Sequence, residues 1–293
     1  MFVIIGGAGF LGNYLIKKLL KNTNDSIIAS FNSTLPCIKD ERVKWVQLDL
    51  QNQDCIYNFF ENIKYVKEFT CVFLAGYIKP DLVYSNPDLA WKINIDGFVK
   101  FLSLAKNKSK ELFFASTDMV MGESVNDYRF KESDHPNPIN LYGKYKATCE
   151  NLVNLLGYTV IRFPLMVGKS INTNKIGFFD HIEKTVNEKK IFDVLSDYFE
   201  CSLDYNTVAD ILSKLIVRND INDYKIINIC SDEKISKFQI AIKYCESHKL
   251  DSKYIRPISL KKCNFFKAKR GTILLDNSLI KEILSIKRIV MEF

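Results

Sequence analysis

The chain opens with Phe2-Val3-Ile4-Ile5-Gly6-Gly7-Ala8-Gly9-Phe10-Leu11-Gly12, and this stretch decides the fold. Four apolar residues predict a buried strand, a glycine-rich turn follows at once, and a helical pattern begins at Phe10. In such a turn one glycine permits the tight bend, a second lets the backbone approach a pyrophosphate, and the last lets the helix pack on the strand. Since a pyrophosphate binds at the positive N-terminus of a helix, a dinucleotide-binding loop is predicted that includes Gly6, Gly9, Phe10, Leu11 and Gly12.

The rest of the first half alternates short β-branched or aromatic runs with longer segments of helical period. Alternation of this kind predicts an α/β fold, a doubly wound parallel sheet of the Rossmann type with helices on both faces. Strands are predicted at 2–5, 26–29, 43–47, 71–74, 112–115 and 159–162, and helices at 10–21, 55–64, 87–105 and 141–156.

The pattern loosens after Pro164, which predicts a nucleotide-binding domain over 1–164 and a smaller α/β substrate-binding part over 165–293. The chain is allowed to cross between the two parts more than once. The second part contains a polar loop at 168–177, then a helix, and a strand at 225–229. Ser236-x-x-Gln239 is the signature of a capping box that opens a further helix.

Composition excludes several classes of protein. With 293 residues, 47% hydrophobic and 26% charged, the chain is an ordinary globular one rather than disordered, collagenous or coiled-coil. No stretch of 18 residues is both apolar and free of charged side chains, so no membrane-spanning helix is expected. The apolar N-terminus lacks the basic start of a signal peptide. Eight scattered cysteines without C-x-x-C, beside three histidines, predict no metal site and a reducing, cytoplasmic location.

A net charge of +7 could indicate binding to nucleic acid. However, only seven of the 41 basic residues are arginine, and positive and negative charges are mixed along the chain. Surfaces that read bases favour arginine. A lysine-rich surface that attracts an anionic small molecule is the better interpretation.

The end of the second strand bears on the choice of cofactor. Segment 30–34 contains no carboxylate to accept a hydrogen bond from an adenosine ribose and to repel a 2′-phosphate. Ser30 and Asn32 could instead donate hydrogen bonds to that phosphate, which favours NADP, with NAD as the alternative. Lys39 and Arg42 are the nearest cations along the chain.

Two Tyr-x-x-x-Lys pairs occur, in a chain with enough tyrosine and lysine for such pairs to arise by chance. Tyr14 and Lys18 belong to the first helix and are taken as the chance pair. Tyr142 and Lys146 start a helix that follows Thr117 at a strand end. A lysine one turn after a tyrosine can lower the phenol pKa and hold the nicotinamide ribose, while a threonine hydroxyl bonds the same substrate oxygen. These three residues are the predicted catalytic group.

Together these motifs resemble the extended short-chain dehydrogenase/reductase family, which acts mostly on nucleotide-activated sugars. The resemblance extends over nearly the whole chain. Besides the glycine loop, it rests on the segments 48–50, 74–76, 86–87, 94–97, 116–122, 142–146, 162–164 and 270–276. The last of these is similar to the C-terminal segment of dTDP-4-dehydrorhamnose reductases, and the Ser-Thr-Asp strand end and the chain length match that subfamily best.

The resemblance implies further residues that bind the cofactor and the substrate. We also expect a homodimer. Those implied to bind the cofactor are Asp49, Leu50, Ala75, Gly76, Asn94, Phe163, Tyr142 and Lys146. Those implied to bind the sugar nucleotide are Lys79, Thr117, Asp118 and Arg270.

Departures from the family pattern narrow the reaction. Dehydratases of this family carry Asp-Glu after the catalytic threonine, whereas here Asp118 precedes Met119. The cysteine and histidine of the combined 3,5-epimerase/reductases are replaced by residues 120–121 and 168–170, and His181 is a poor substitute. Reduction of a 4-keto sugar nucleotide is the leading hypothesis. A 4-epimerase or dehydrogenase with retained NAD, and a non-catalytic NADP-binding regulatory subunit on the same fold, remain open.

Overall fold

Seven parallel strands form the central sheet of the computed structural model, which describes residues 1–218, 220–263 and 266–293. From edge to edge the strands are β11 (Ile226–Asn228), β6 (Thr159–Phe163), β5 (Ser109–Thr117), β4 (Phe69–Phe73), β1 (Phe2–Ile5), β2 (Ile27–Phe31) and β3 (Val43–Gln47). The direction of strand succession reverses between β1 and β4. In such sheets a ligand crevice opens at the carboxyl ends of the strands beside this reversal. The predicted fold class is confirmed.

Helices cover both faces of this sheet. The α-helices are, in chain order, α1 (Phe10–Asn22), α2 (Gln53–Asn62), α3 (Pro80–Ser85), α4 (Pro87–Trp91), α5 (Phe98–Ala105), α6 (Leu141–Leu155), α7 (Phe178–Asn187), α8 (Tyr205–Leu215), α9 (Lys237–Ser247) and α10 (Ser278–Leu284). α7 and α9 pack together in the smaller part rather than on the central sheet. One face buries residues of α2, α5 and α6 against the strands, and the other buries residues of α1, α8 and α10. Both faces of each central strand are therefore apolar, as the near-continuous hydrophobic runs predicted.

Two local features differ from the sequence prediction. The segment predicted as one helix over 87–105 consists of α4, a π-helical stretch Lys92–Gly97 and α5, and α3 precedes it unpredicted. β5 continues beyond its apolar run 112–115 in both directions. Its polar ends are strand because β4 and β6 flank it and supply backbone partners, which an apolar run alone does not reveal.

Residues after 164 build three small sheets around a separate apolar cluster. β7 (Met166–Val167) pairs with β10 (Leu203–Asp204), β9 (Phe199–Glu200) with β12 (Ile235–Ser236), and β8 (Phe192–Leu195) with β13 (Ile255–Ile258). The capping box at the start of α9 is confirmed: Ser236 Oγ accepts from Gln239 N at 3.2 Å, and Ser236 N donates to Gln239 Oε1 at 2.9 Å.

The chain also returns to the main sheet after residue 164. α8 packs along α1, and β11 pairs with β6 as the edge strand of the central sheet. The strand predicted at 225–229 is therefore the edge strand of the central sheet. In the described part of the chain no helix combines the length and apolarity that crossing a bilayer requires.

Candidate active site

The glycine loop is shaped by three different constraints. Gly6 has φ +87°, and a Cβ there would stand 2.9 Å from the Ala75 nitrogen, so only glycine fits. A Cβ on Gly12 would stand 2.5 Å from the Gly6 carbonyl oxygen, because α1 packs directly on the turn. A Cβ on Gly9 would meet only the Gly6 oxygen, at 3.0 Å, and would otherwise point into open space. Space above Gly9 is what an approaching pyrophosphate would need.

Ser30, at the end of β2, lies beneath this loop. Its hydroxyl is buried and accepts a hydrogen bond from Gly6 N at 2.8 Å, while its carbonyl accepts from Ala8 N at 3.4 Å. The first role of Ser30 is thus to hold the glycine loop. Asn32 is exposed beside it and is free to reach a ligand.

The two cations named from the sequence differ in position. Arg42 immediately precedes β3, at the amino ends of the strands, and donates to Asp40 and to the carbonyls of Leu20 and Thr23. β3 is five residues long, about 17 Å, so Arg42 lies at the edge opposite the glycine loop. Arg42 is therefore not a ligand for a phosphate at the loop. Lys39 is exposed.

Asn94 occupies the π-helical stretch and binds the backbone of Tyr77 with both ends of its amide. Its Oδ1 accepts from Tyr77 N at 2.8 Å and its Nδ2 donates to Tyr77 O at 3.0 Å. This fixes the turn that contains Ala75 and Gly76 at the end of β4. Leu50 packs against the same stretch, since a Cβ on Gly97 would stand 2.3 Å from the Leu50 oxygen.

Asp49 and Phe163 complete the residues implied to contact a cofactor. The Asp49 carboxylate accepts from Gln51 N at 2.9 Å, which shapes the loop after β3. Phe163 is buried at the carboxyl end of β6. Asp49 follows β3 and Phe163 ends β6, so both lie at the carboxyl ends of the strands.

Thr117 ends β5, and α6, which contains Tyr142 and Lys146, packs against this strand and the turn that follows it. Asn140 caps α6 through Gly143 N, so that Tyr142 lies in the first turn and Lys146 one turn later. The Lys146 ammonium donates to the Ala115 carbonyl at 2.7 Å and lies 4.4 Å from the Phe114 ring centroid. A methyl group on Gly76 would stand 3.9 Å from Lys146 Nζ, so the ammonium faces the turn after β4.

Protonation of this group differs from the sequence expectation. Burial raises the pKa of Tyr142, and the Asp118 carboxyl raises it further. The expected lowering by Lys146 is absent here, because the phenol is desolvated and the ammonium is bound to the Ala115 carbonyl. Burial also lowers the pKa of Lys146 to about 8. Tyr142 is consequently a protonated phenol near neutral pH.

Two buried carboxyl groups, Asp118 and Glu200, lie next to Thr117, and the sequence did not predict this pair. Thr117 Oγ1 donates to Asp118 Oδ1 at 3.0 Å, while Asp118 Oδ2 is buried without a partner among the described residues. Burial, and then the Glu200 carboxyl, raise the pKa of Asp118. Glu200 accepts from the Tyr198 hydroxyl at 2.8 Å, and Lys237 opposes the rise of its pKa. Glu200 and Lys237 carry no motif, and only the pairing of β9 with β12 brings them here.

Arg270 and Lys79, both implied to bind substrate, lie on the same side of the molecule. Arg270 forms a two-pronged ion pair with Asp81, at 2.6 and 3.1 Å, and its guanidinium stacks 4.1 Å from the Phe266 ring centroid. Lys79 is exposed immediately before α3. Asp81 thus joins α3 to the C-terminal segment that contains Arg270.

The other Tyr–Lys pair makes different contacts. The Tyr14 hydroxyl donates to the Lys169 carbonyl at 3.0 Å and its ring stacks on Tyr205, while Lys18 lies 3.5 Å from an Asp210 carboxylate oxygen.

Surface cavities of about 510 Å³ on α9 and about 270 Å³ beside Tyr205 are lined by neither Thr117 nor Tyr142. No group of three metal-binding side chains occurs in residues 1–218, 220–263 and 266–293.

The parallel sheet, the glycine turn after β1 and the Thr–Tyr–Lys group at the end of β5 define a protein of the extended short-chain dehydrogenase/reductase class. The chain belongs to the RmlD substrate binding domain family, whose model matches residues 1–288. The resemblance inferred from the motifs is confirmed.

Three similar proteins illustrate the range of this fold. The chain is 25% identical over 264 residues to methionine adenosyltransferase 2 subunit beta of Bos taurus, covering 88% of this chain and 75% of that protein. The NADP complex of dTDP-4-dehydrorhamnose reductase from Bacillus anthracis superposes with a TM-score of 0.76 at 19% identity, over 98% of this chain and 94% of that one. UDP-glucose 4-epimerase of Thermus thermophilus, in complex with NAD, gives a TM-score of 0.80 at 16% identity, over 100% and 95%.

Proposed function

We propose that this chain is an NADP-dependent reductase of a 4-keto sugar nucleotide. The observation that carries the proposal is the packing of α6, with a protonated Tyr142, beside the end of β5, while the Lys146 ammonium faces the turn after β4. Membership of the RmlD family and the fold shared with a dTDP-4-dehydrorhamnose reductase support the same reaction.

A bound nicotinamide cofactor would supply the hydride. The loop from Gly6 to Gly12 would bind its pyrophosphate, and Lys146 would hold the nicotinamide ribose. The Thr117 hydroxyl, which donates to Asp118 Oδ1 in this structure, would turn its single proton to the keto oxygen. Tyr142 would give its phenolic proton to that oxygen as the carbon accepts the hydride. A high phenol pKa suits this direction, because the alkoxide that forms is a still stronger base. Met119 follows Asp118, where the dehydratases that resemble this family have a glutamate. The base that those enzymes use to eliminate water is therefore missing.

The test is oxidation of NADPH by the purified chain with a dTDP-4-keto-6-deoxy sugar. Tyr142→Phe should lower kcat by a factor of about 10²–10⁴ while the dissociation constant for NADPH stays unchanged. Tyr145→Phe is the matched control, since Tyr145 lies on the same helix and its hydroxyl donates to the Pro87 carbonyl at 3.4 Å. Equal activity of wild type and Tyr142→Phe would refute the assignment.

Two alternatives have distinct signatures. An epimerase or dehydrogenase would carry tightly bound NAD after purification, and an epimerase would interconvert sugars without net change of cofactor. A non-catalytic subunit is favoured by one observation: the similar protein of Bos taurus is a subunit of a methionine adenosyltransferase. That role would give no turnover with any keto sugar, together with stable association with a methionine adenosyltransferase catalytic chain in size-exclusion chromatography.

A further inference from the structure

The loop 168–177 extends from the smaller part of the chain to the glycine loop. Tyr14, on α1, donates to its Lys169 carbonyl at 3.0 Å. Asn172 is buried and donates from Nδ2 to the Leu35 carbonyl at 2.9 Å, in the segment between β2 and β3. The loop therefore contacts both chain segments that border the adenosine end of the proposed cofactor site.

Internal hydrogen bonds give this loop a defined shape. One carboxylate oxygen of Asp180 accepts from Ser170 N at 2.7 Å and from Gly177 N at 2.8 Å. The Asn172 carbonyl accepts from Ser170 Oγ at 2.7 Å and from Lys175 N at 2.9 Å. Lys175 therefore lies on a turn whose backbone is fixed by hydrogen bonds, and this turn places its side chain next to the glycine loop.

The Lys175 ammonium lies against the glycine loop. Its Nζ is 3.5 Å from the Ala8 carbonyl oxygen and 5.5 Å from the Phe10 ring centroid. Burial lowers its pKa, and no carboxylate of the described chain offsets that loss. A half-buried cation beside the positive end of α1 is electrostatically unfavourable until an anion joins it.

The position of Ala8 indicates which anion. Its nitrogen donates to the Ser30 carbonyl at 3.4 Å, so Ala8 lies where the glycine loop meets the end of β2. A dinucleotide bound over Gly9 has its pyrophosphate on one side of this point and its adenosine ribose on the other. Segment 30–34 offers no carboxylate there, and Arg42 lies at the far edge of the sheet.

We propose that Lys175 is a phosphate ligand of the dinucleotide and that the loop 168–177 closes the phosphate end of the cofactor site. The inference rests on the proposed function to the extent that a nicotinamide dinucleotide must bind. The inference adds a cofactor contact that comes from the second part of the chain. None of the motifs in the first half provides this contact.

The experiment is fluorescence titration of NADPH and NADH into the full chain and its variants. Lys175→Gln should raise the dissociation constant of NADPH about tenfold or more, as expected for loss of a charge-assisted hydrogen bond. A rise for NADPH alone assigns Lys175 to the 2′-phosphate, and an equal rise for NADH assigns it to the pyrophosphate. Both results support the proposal.

Two further variants separate charge from loop structure. Lys175→Arg retains the cation and should bind NADPH nearly as the wild type does, with the steep salt dependence that Lys175→Gln loses. Lys17→Gln makes the same change of net charge at an exposed position of α1 and should have no effect. Unchanged affinity in Lys175→Gln, with a wild type that binds NADPH, overturns this inference alone. A wild type that binds neither dinucleotide overturns the proposed function itself.

Discussion

At the scale of single residues, burial moves the pKa values of Tyr142 and Lys146 in opposite directions. The phenol pKa rises, and the ammonium pKa falls to about 8. Near neutral pH the phenol can therefore donate a proton while the ammonium is still charged and able to hold ribose hydroxyls. This protonation state suits reduction, which consumes the phenolic proton, better than oxidation, which must first remove it.

This pair predicts the pH dependence of turnover. Reduction should be steady below pH 8 and should decline above it, because Lys146 loses its charge there while Tyr142 remains protonated. The measurement is kcat/KM against pH for the wild type and for Lys146→Arg, whose guanidinium keeps its charge. A decline that persists unshifted in the arginine variant would assign the titration to another group.

The same burial predicts a gain in stability on removing the ammonium. Since the folded pKa of Lys146 is below its value of 10.5 in the unfolded chain, the cost is fully present below pH 8 and disappears between pH 8 and 10.5. That cost is about 3 kcal/mol, and loss of the bond to Ala115 offsets part of it. Lys146→Met should therefore stabilise the cofactor-free protein by about 1 kcal/mol at pH 7 while abolishing turnover.

Urea unfolding at pH 7 and pH 10 checks this expectation. The difference between Lys146→Met and wild type should shrink at the higher pH, where the wild-type lysine is neutral in the folded state. Lys144→Met, at an exposed position of the same helix, is the control and should change little. A variant less stable than the wild type at pH 7 would show that the hydrogen bond outweighs the desolvation.

At the scale of elements, the glycine loop separates a folding requirement from a binding requirement. Gly9 has φ −73°, which any residue adopts, whereas Gly12 is pressed against the backbone of the turn. Gly9→Val should therefore fold and fail to bind NADPH, because its side chain fills the space for a pyrophosphate. Gly12→Ala should lower the melting temperature, because α1 must move away from the turn. Thermal unfolding and NADPH titration of both variants test this; normal affinity in Gly9→Val would contradict it.

Helix α6 is held against the sheet by a buried ion pair. Arg162 on β6 donates from Nε and Nη2 to the two carboxylate oxygens of Glu150, at 3.0 and 2.8 Å, and Ser116 on β5 donates to the same carboxylate at 2.5 Å. Arg162 is fully buried and Glu150 nearly so. This network sets the position of the helix on which Tyr142 and Lys146 lie.

Removing one partner of this ion pair should lower the free energy of unfolding more than replacing both partners does. Arg162→Met should destabilise the fold by about 3–5 kcal/mol, because it leaves the Glu150 carboxylate buried and uncompensated. The double variant Arg162→Met/Glu150→Gln should recover part of that loss. Chemical denaturation of the two single variants and the double variant measures the coupling; additive losses would indicate that the two groups act independently.

At the scale of the whole molecule, the central sheet is completed by segments that alternate along the chain with those of the smaller part. β11 extends the sheet beyond β6, and α8 and α10 bury Leu15, Ile16 and Leu19 of α1 together with the strands beneath. A fragment of residues 1–164 should therefore expose one apolar face of the sheet. It should aggregate or lack cooperative unfolding, whereas the full chain unfolds cooperatively. Circular dichroism melts of the two proteins test this; a monomeric fragment with a sharp transition would contradict it.

The order of the strands in the first half followed from the sequence by itself, as did the glycine turn between β1 and α1. The catalytic group of Thr117, Tyr142 and Lys146 stays a prediction from the sequence. Each depends on spacing along the chain: apolar runs for buried strands, helical period for α1 and α6, and one helical turn between tyrosine and lysine. The polar ends of β5 and the π-helical stretch did not follow, because partners distant in sequence decide them.

Only the tertiary structure decided which charged groups meet. Arg42 is close in sequence to the end of β2 yet lies at the amino ends of the strands, because the chain between the two parallel strands returns there before β3 begins. Lys175 is distant in sequence and lies 3.5 Å from Ala8, and Glu200 reaches Asp118 through the pairing of short strands. Desolvation also depends on everything packed around a group, which is why the pKa of Tyr142 rises where the Tyr–Lys spacing alone predicts a fall.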